Sequence, residues 1–370
     1  MIRVMVVDDS ALVRRIASDI LSADPEMSVV ATAAQAEFAL PKLDKEKPDV
    51  ITLDLEMPGM GGLEAIRRIM ATRPTPIIVL SAHARQGADL TLQALDLGAV
   101  DFVLKPSASL SGGLTAVAEE LTEKVRNASH IVFAAPKVAP PLPPSSSPTR
   151  AAAAAPVAPE APVRRQPDFL GEAESELVAI GTSTGGPVAL KTVLSMLPAN
   201  FPVGVVVVQH MPPVFTKAFA ERLDGCCAVR VKEAEDGDLI LPGRVLLAPG
   251  NWHMTVSKFG KAPHVALNQS ENVNGHRPSV DVLMHSVALE YGPKAVGVIM
   301  TGMGKDGALG LHELHRRGGR VIAQDKDTSV IYGMNREVVQ GGDADDVAPV
   351  EQIASRVMEA LHGRAMRKAI

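Results

Sequence analysis

The sequence predicts an α/β protein with two doubly wound parallel-sheet domains, and three observations support this fold class. Apolar strand-like runs alternate with amphipathic helical segments through residues 1–128 and again through 177–363. A Pro-, Ala- and Ser-rich stretch, 129–176, carries no hydrophobic periodicity and is predicted to be an extended linker. At 370 residues the chain is too long for one ordinary core. Residues 364–370 are predicted to form a C-terminal tail.

The composition narrows the class of function. The formal net charge is −5, aromatic residues make up 3% of the chain, and no basic patch is evident. Nucleic-acid-binding proteins usually show clustered positive charge or stacking aromatics, so we expect no nucleic-acid partner. The two cysteines, Cys226 and Cys227, are adjacent and cannot form a disulfide framework, which fits a reducing compartment. Since neither a targeting segment nor an apolar run of about 20 residues is present, we expect a cytoplasmic protein without membrane insertion.

The first region contains five strand-like runs and five amphipathic segments, enough for one compact doubly wound domain. The predicted strands are Arg3–Val7, Ser28–Ala33, Val50–Leu53, Pro76–Leu80 and Phe102–Leu104. The predicted helices are Ala11–Ala23, Ala36–Lys45, Gly62–Thr72, Gly87–Leu97 and Gly112–Asn127. Because such sheets bind ligands at the carboxyl ends of their strands, the residues that follow each strand are the candidates for function.

Charged and hydroxyl side chains stand at four of these strand ends: Asp8 and Asp9 after the first, Asp54 after the third, Ser81 after the fourth and Lys105 after the fifth. Three carboxylates at one edge would repel one another unless a cation lay among them, and hard oxygen ligands suit Mg²⁺. A lysine and a hydroxyl there would pair with an added phosphoryl group. Asp8 and Asp9 could instead only cap the next helix, which would leave the other strand ends unexplained.

The segments Val6-Val7-Asp8-Asp9-Ser10, Asp54-Leu55-Glu56-Met57-Pro58 and Lys105-Pro106 resemble a response-regulator receiver domain. The resemblance implies that Asp54 accepts a phosphoryl group from a histidine kinase. It also implies that Mg²⁺ is held by Asp8, Asp9, Asp54 and the backbone carbonyl of Glu56. By the same resemblance, the switch hydroxyl, the switch aromatic and the invariant lysine of the family correspond to Ser81, Phe102 and Lys105.

The second region opens on an apolar strand, Leu177–Ile180, that runs into the turn Gly181-Thr182-Ser183-Thr184-Gly185-Gly186-Pro187. Such a turn places a hydroxyl beside the free amides of a helix N-terminus, which suits either a nucleophile or a bound phosphate. Further strands are predicted at Val203–Gln209, Arg244–Ala248, Ala295–Thr301 and Gly319–Ala323. The runs His253–Ser257 and His264–Leu267 are predicted to form an antiparallel hairpin outside the main sheet.

Three polar residues follow strands of the second region: Ser183 in the opening turn, His210 after Val205–Gln209, and Asp306 beyond Ala295–Thr301. Adjacent parallel strands would bring them together as nucleophile, base and orienting acid. Each has a simpler interpretation, as a helix cap, a loop histidine or a turn aspartate. The rival phosphate-cradle interpretation lacks the P-loop spacing with its Lys-Ser/Thr ending, and the three-glycine dinucleotide fingerprint is also absent. The sequence therefore favours the nucleophile.

Besides the opening turn, the second region contains three further motifs: Gln209-His210-Met211-Pro212-Pro213, His276-Arg277-Pro278-Ser279-Val280-Asp281 and Thr301-Gly302-Met303-Gly304-Lys305-Asp306-Gly307. With these motifs the second region resembles the CheB family of chemotaxis methylesterases. It implies that Ser183, His210 and Asp306 form the catalytic triad. Thr184 and the backbone of Met303 are the positions expected to stabilise an oxyanion or position the substrate.

The two resemblances together imply a phosphorylation-activated serine hydrolase of chemosensory adaptation. It would hydrolyse glutamate methyl esters on chemoreceptors, releasing methanol, and deamidate receptor glutamines, with no cofactor at the hydrolase site. We expect the unphosphorylated receiver to pack over the cleft that contains Ser183. Two other classes remain as alternatives: a signalling module whose second domain only binds a partner, and a response regulator that binds DNA. The latter would need a basic recognition helix after the linker, which is not visible.

Overall fold

The chain forms two α/β domains in the computed structural model, which describes residues 1–81, 85–105, 113–131, 133, 176–258 and 262–362. The first domain contains the strands β1 (Ile2–Val7), β2 (Met27–Ala33), β3 (Val50–Asp54), β4 (Ile77–Ser81) and β5 (Asp101–Leu104). Its helices are α1 (Ala11–Ala23), α2 (Ala36–Glu46), α3 (Gly61–Thr72), α4 (Arg85–Asp96) and α5 (Gly113–Ala128). Each predicted element of this domain is present, with its bounds shifted by two residues or fewer.

The five strands of the first domain form one parallel sheet in the order β2-β1-β3-β4-β5. Every residue of β3 and β4 is buried, as expected for central strands with helices on both faces. The reversal of strand order beside β1 opens a crevice at the carboxyl edge, where ligands of such sheets bind. Asp8 and Asp54 lie at that edge.

The second domain contains the strands β6 (Leu177–Thr182), β7 (Gly204–Gln209), β8 (Arg230–Glu233), β9 (Arg244–Leu247), β10 (His253–Ser257), β11 (His264–Asn268), β12 (Ala295–Ile299), β13 (Arg320–Gln324) and β14 (Asp346–Ala348). Its helices are α6 (Gly186–Ser195), α7 (Phe215–Asp224), α8 (Val280–Glu290), α9 (Ala308–Arg316), α10 (Met334–Gln340) and α11 (Val350–Leu361). A single 3₁₀ turn, Gly292–Lys294, precedes β12.

Seven of these strands form a parallel sheet in the order β14-β13-β12-β6-β7-β9-β8. The central strand β6 pairs with β12 on one side and with β7 on the other. The turns that follow these three strands therefore meet at one point of the carboxyl edge. They carry Ser183, His210 and Asp306, the three residues singled out by the sequence.

The predicted hairpin is confirmed, because β10 and β11 pair antiparallel in a sheet of their own. Two strands were not predicted. The β8 sequence Arg-Val-Lys-Glu is mostly charged, and β14 is three residues long, so both lack the apolar run that marks a buried strand. Both lie at the edges of the sheet, where pairing on one side is sufficient.

Most of the predicted linker, 129–176, and all of the predicted tail, 364–370, lie outside the described residues, as does Pro106 of the Lys-Pro motif. Within the part of the chain that is described, no helix is long and apolar enough to cross a membrane.

Candidate functional site

Ser183 lies in a tight turn between β6 and α6. Gly185 adopts a positive φ of 78°, and a Cβ on Gly186 would lie 2.0 Å from Gln209 Oε1, so the turn requires glycine at both places. The buried Gln209 side chain accepts from the Thr182 hydroxyl at 2.6 Å and donates to the Ser183 carbonyl at 2.9 Å. The backbone N–H of Ser183 donates to the Thr301 carbonyl at 3.1 Å. The serine is thus held from both neighbouring strands.

His210 directly follows β7, and its ring is bonded to Asp306. His210 Nε2 lies 2.8 Å from Asp306 Oδ2, and both side chains are almost fully buried. The other ring nitrogen, His210 Nδ1, is buried and has no hydrogen-bond partner among the described residues. No hydrogen bond therefore joins His210 to Ser183 in this arrangement, and Nδ1 is the ring nitrogen left to act as a base.

Asp306 is anchored on the N-terminus of α8. Its carboxylate accepts hydrogen bonds from the backbone N–H groups of Val280 and Asp281 at 2.7 and 3.2 Å. It also accepts from the Ser279 hydroxyl and from the Asn274 side-chain amide, both at 2.8 Å. Free amides and the positive end of the helix dipole both favour a negative charge there.

The ionisation of Asp306 follows from these contacts. Burial alone would raise the pKa of its carboxyl group, but the hydrogen bond and charge of His210, together with hydrogen bonds from Asn274 and Ser279, outweigh burial and hold the pKa well below its usual range. Burial raises the pKa of the neighbouring Asp281. The Asn274 amide donates to both carboxylates, each at 2.8 Å, and so separates two like charges.

A second imidazole, which the sequence analysis did not assign, stacks on His210. The ring of His276 lies with its centroid 3.8 Å from that of His210, at an interplanar angle of 16°. Burial and the nearby charge of His210 lower the pKa of His276 to about 4, so its ring is neutral at neutral pH. The signal available in the sequence was the segment His276–Asp281, which shows a family pattern but no periodicity that would place it.

Ser183, Thr184, His210, His276 and Met303 line one cavity of about 510 Å³. The first domain forms part of its wall, contributing Phe102 and four residues of α5, namely Glu119, Glu120, Glu123 and Lys124. The cavity that contains the predicted nucleophile and base therefore lies between the two domains.

The residues predicted to stabilise an oxyanion contact the first domain. The Thr184 hydroxyl donates to the Asp101 carboxylate at the start of β5. Met303 Sδ lies against the side-chain amide of Asn127 on α5. Asp101 in turn pairs with Lys124 at 3.3 Å, which couples the Thr184 contact to α5.

Apolar and ionic contacts hold the domains together beside the cavity. The ring of Phe102 stacks on that of Phe215 at the start of α7, with a centroid distance of 4.6 Å. On α4, Asp96 pairs with Lys191 of α6 at 2.9 Å and with Arg222 of α7. Buried apolar side chains form one continuous cluster through both domains.

The carboxyl edge of the first domain brings three predicted ligands together. One carboxylate oxygen from each of Asp8, Asp9 and Asp54 lies within 4.8 Å of the others. Lys105 Nζ pairs with Asp8 Oδ2 at 3.0 Å and with Asp54 Oδ2 at 2.6 Å. Burial raises the pKa of Asp8, although the Lys105 charge opposes that shift. Such a donor set is consistent with a metal site.

The other predicted residues of this edge are placed as follows. The Glu56 N–H donates to Asp54 Oδ1 at 3.0 Å, so the Glu56 backbone adjoins the acidic cluster. The Ser81 hydroxyl accepts from Thr91 of α4 at 2.6 Å. Phe102 is buried against the second domain. Both predicted switch residues therefore have partners: Ser81 is hydrogen-bonded to α4, and Phe102 is stacked on α7.

Comparisons with known proteins agree with both domains. The CheB methylesterase family matches residues 178–357, and the response regulator receiver domain family matches residues 4–111. The chain is 46% identical over 366 residues to the protein-glutamate methylesterase/protein-glutamine glutaminase of Symbiobacterium thermophilum, covering 97% of each chain. It is 44% identical over 367 residues to that of Bordetella bronchiseptica, covering 99% of each.

Among solved structures, the chain is similar to the Thermotoga maritima CheB methylesterase catalytic domain, with 44% identity and a TM-score of 0.49. That match covers 50% of this chain and 98% of the other. The alignments with these two relatives cover nearly all of this chain, so each includes both domains. The chain belongs to the CheB family of protein-glutamate methylesterase/protein-glutamine glutaminases that carry an N-terminal receiver domain.

Proposed function

We propose that Ser183, His210 and Asp306 carry out ester hydrolysis on protein glutamate side chains. The observation that carries the proposal is that Ser183 and His210 line the same cavity, while the ring of His210 is bonded to the buried Asp306. With Nε2–H donated to Asp306, His210 Nδ1 has a free lone pair. It would take the Ser183 proton as the hydroxyl attacks the ester carbonyl, and Asp306 would stabilise the resulting imidazolium.

The reaction then proceeds through an acyl-enzyme. His210 returns the proton to the leaving methoxide, methanol departs, and water attacks the acyl group with His210 again as base. The bond between the acyl carbon and Ser183 Oγ then breaks, His210 returns the proton to that oxygen, and the free glutamate is released. A glutamine side chain in the same position would lose ammonia instead. Thr184 and the backbone of Met303 are proposed to steady the substrate or its oxyanion, a role of about 3 kcal/mol where such donors have been removed.

The substitution Ser183→Ala tests this assignment. We expect methanol release from methylated chemoreceptor membranes to be abolished while the variant keeps the unfolding transition of the wild type. A serine-directed fluorophosphonate should label the wild type at Ser183 and leave the variant unlabelled. Turnover retained by Ser183→Ala would remove Ser183 from the mechanism.

We also propose that the first domain receives a phosphoryl group on Asp54 from a histidine kinase. Asp8, Asp9, Asp54 and the backbone carbonyl of Glu56 would hold Mg²⁺, which when bound offsets the charge of the incoming phosphate. The fit is supported by Asp8 Oδ2 and Asp54 Oδ2, which are buried and accept no hydrogen bond from the described residues beyond the ion pair with Lys105. Lys105 would pair with the phosphoryl oxygens.

Removal of the metal distinguishes this site from the hydrolase site. We expect EDTA to abolish any stimulation of methanol release by a small phosphoryl donor, since phosphorylation needs the cation. The basal rate should stay unchanged, because the proposed triad contains no metal ligand. Loss of the basal rate on chelation would contradict a metal-independent hydrolase site.

The proposed regulation is that the unphosphorylated receiver covers the cleft and that phosphorylation loosens it. The contacts of Asp101 with Thr184 and of Phe102 with Phe215 support this, because they join the receiver to the catalytic turn and to α7. A fragment spanning 176–362, shown by calorimetry to unfold cooperatively, should hydrolyse receptor esters faster than the unphosphorylated full chain. An equally slow fragment would disprove inhibition by docking. The substrates are proposed to be chemoreceptors, and the site of action the cytoplasm.

A further inference from the structure

The loop before α8 contributes a side chain to the site that has no role in the proposed triad. Ser279, which caps α8, and the first residues of the helix, Val280 and Asp281, hold Asp306, and Asn274 of the loop bridges Asp306 and Asp281. His276 has no part in that network of hydrogen bonds. It nevertheless lines the cavity and lies face to face with His210, so its contact with the base is the feature of this loop that the proposed mechanism leaves unexplained.

The proposed base is fixed by few contacts of its own. His210 makes one side-chain hydrogen bond, from Nε2 to Asp306, and its Nδ1 has no partner among the described residues. One bond at one edge leaves an imidazole ring free to tilt about that bond. Any tilt would move Nδ1, the nitrogen that must receive the Ser183 proton. A flat surface against one face of the ring removes this freedom.

We propose that His276 is a positioning residue that holds the His210 ring, through face-to-face packing, in the plane from which Nδ1 reaches Ser183. The proposal rests on the proposed function of the triad. It is supported by the 3.8 Å centroid distance and the 16° interplanar angle, which leave no room for another side chain or for water between the rings.

The proposed catalytic cycle explains why the ring that packs on His210 should be uncharged. His210 becomes an imidazolium each time it holds the serine or water proton, and a positive neighbour would oppose that charge. The groups around His276 are His210 and Asp306 on the second domain and Lys124 of α5 on the first. Burial among them keeps His276 uncharged at neutral pH.

Two variants of His276 in the full-length protein, phosphorylated with a small donor, test the proposal on methylated chemoreceptor membranes. His276→Ala removes the face, and we expect kcat for methanol release to fall about 10- to 100-fold, as misplacement by about 1 Å can do. KM should change less than about twofold. His276→Phe keeps a flat face without ring nitrogens, and should restore kcat to within about threefold of the wild type.

Controls separate this proposal from the triad assignment and from general loss of structure. Ser183→Ala tests the triad alone. Methanol release retained by this variant would show that the proposed function had failed. His264→Ala, in the hairpin and outside the cavity, should leave kcat unchanged. The positioning role is overturned if His276→Ala keeps wild-type kcat, if its defect lies in KM, or if His276→Phe is as impaired as His276→Ala. The last result would assign a direct role to the ring nitrogens.

Discussion

The ring of His210 is held by two other side chains. Asp306 binds one ring nitrogen, the ring of His276 covers one face, and the other nitrogen is left without a partner. Ser183, by contrast, is fixed through its backbone, with its N–H bonded to the Thr301 carbonyl. The proposed base is therefore positioned by side chains, and the proposed nucleophile by the backbone of its turn. Mutations should affect the two differently.

Gly302 shows how closely the neighbouring turn packs on Ser183. A Cβ at Gly302 would lie 2.9 Å from Ser183 Cβ and 2.3 Å from Met334 Sδ. We expect Gly302→Ala to displace the serine, lowering kcat about 100-fold and the free energy of unfolding by about 1–3 kcal/mol. Kinetics and urea unfolding measure both quantities.

Gly225→Ala provides the matched control for this overpacking. The nearest atom that its Cβ would meet is the Arg222 carbonyl oxygen, at 3.5 Å, so wild-type activity is expected. Wild-type kcat in Gly302→Ala would show that the turn can shift without moving the nucleophile.

The titration of His276 should make the free energy of unfolding depend on pH. The pKa of its ring is about 4 in the folded state and about 6.5 in the unfolded chain. Between these values the unfolded state holds a proton that the folded state lacks, so the free energy of unfolding decreases as pH falls from about 6.5 towards 4.

Comparison with His276→Phe isolates this effect from the other titrating groups. Between pH 7 and pH 5 the wild type should lose about 2 kcal/mol more than His276→Phe in urea unfolding, with Phe as the non-titrating control. Equal losses in the two proteins would show that His276 titrates normally.

The sequence predicts that the members of the proposed triad meet, because each lies in or next to the turn that follows an apolar parallel strand. Neighbouring strands bring such positions together whatever the details of the loops. Asn274 and His276 could not be placed in this way. They lie in an irregular loop, where a one-residue difference in path changes which side chain faces the site.

At the scale of elements, α8 is the support of the site. Its N-terminal amides and its capping residue Ser279 all contact Asp306, so the end of one helix orients the acid of the proposed triad. In the sequence, this segment shows only a family pattern. The contact between Asp306 and the helix end is long-range, joining positions 25 or more residues apart, which local periodicity does not reveal.

Ser279→Ala should weaken both the helix and the site. Loss of the cap should lower the free energy of unfolding by about 1 kcal/mol, and loss of the hydroxyl donor to Asp306 should lower kcat by about five- to tenfold. Ser286→Ala removes a hydroxyl from the same helix, one that accepts from the Val256 N–H away from the cavity. It should lose stability without losing kcat. Equal kcat values for the two variants would contradict support of Asp306 by Ser279.

The positions of the strands could be predicted from the sequence where the strands are apolar and lie in the centre of a sheet. β3, β4, β6 and β7 are buried along their whole length, and all four were found in the sequence within two residues of their observed ends. The edge strands β8 and β14 were missed, because edge position tolerates polar or short sequences that periodicity cannot separate from loops.

At the scale of the whole molecule, the structure joins a receiver to a hydrolase across the cavity that contains Ser183. The contacts run from β5 and from the helices α4 and α5 of one domain to the turns and helices α6 and α7 of the other. Sequence patterns within each domain predict its fold, but they carry no information on which surfaces meet. The docking was therefore an expectation drawn from the presence of a switch and a cleft in one chain.

Asp96→Ala tests the ionic part of this interface. It removes the pairs with Lys191 and Arg222, each worth at most about 1 kcal/mol at a partly exposed site. We expect the unphosphorylated protein to release methanol about two- to fivefold faster, since docking would be weakened by that amount. Asp19→Ala, which breaks the exposed pair with Arg15 on α1, is the control and should leave the rate unchanged. A slower or unchanged Asp96→Ala would argue against docking as the inhibitory contact.

The most direct test of the account is the rate of methanol release from methylated chemoreceptor membranes, measured on the full chain before and after addition of a small phosphoryl donor. Wild-type protein should be stimulated, because phosphorylated Asp54 loosens the receiver from the cleft, whereas Asp54→Asn should keep its basal rate with or without donor. A wild-type rate that the donor does not change, or equal stimulation of Asp54→Asn, would contradict control of the Ser183 cleft by the receiver.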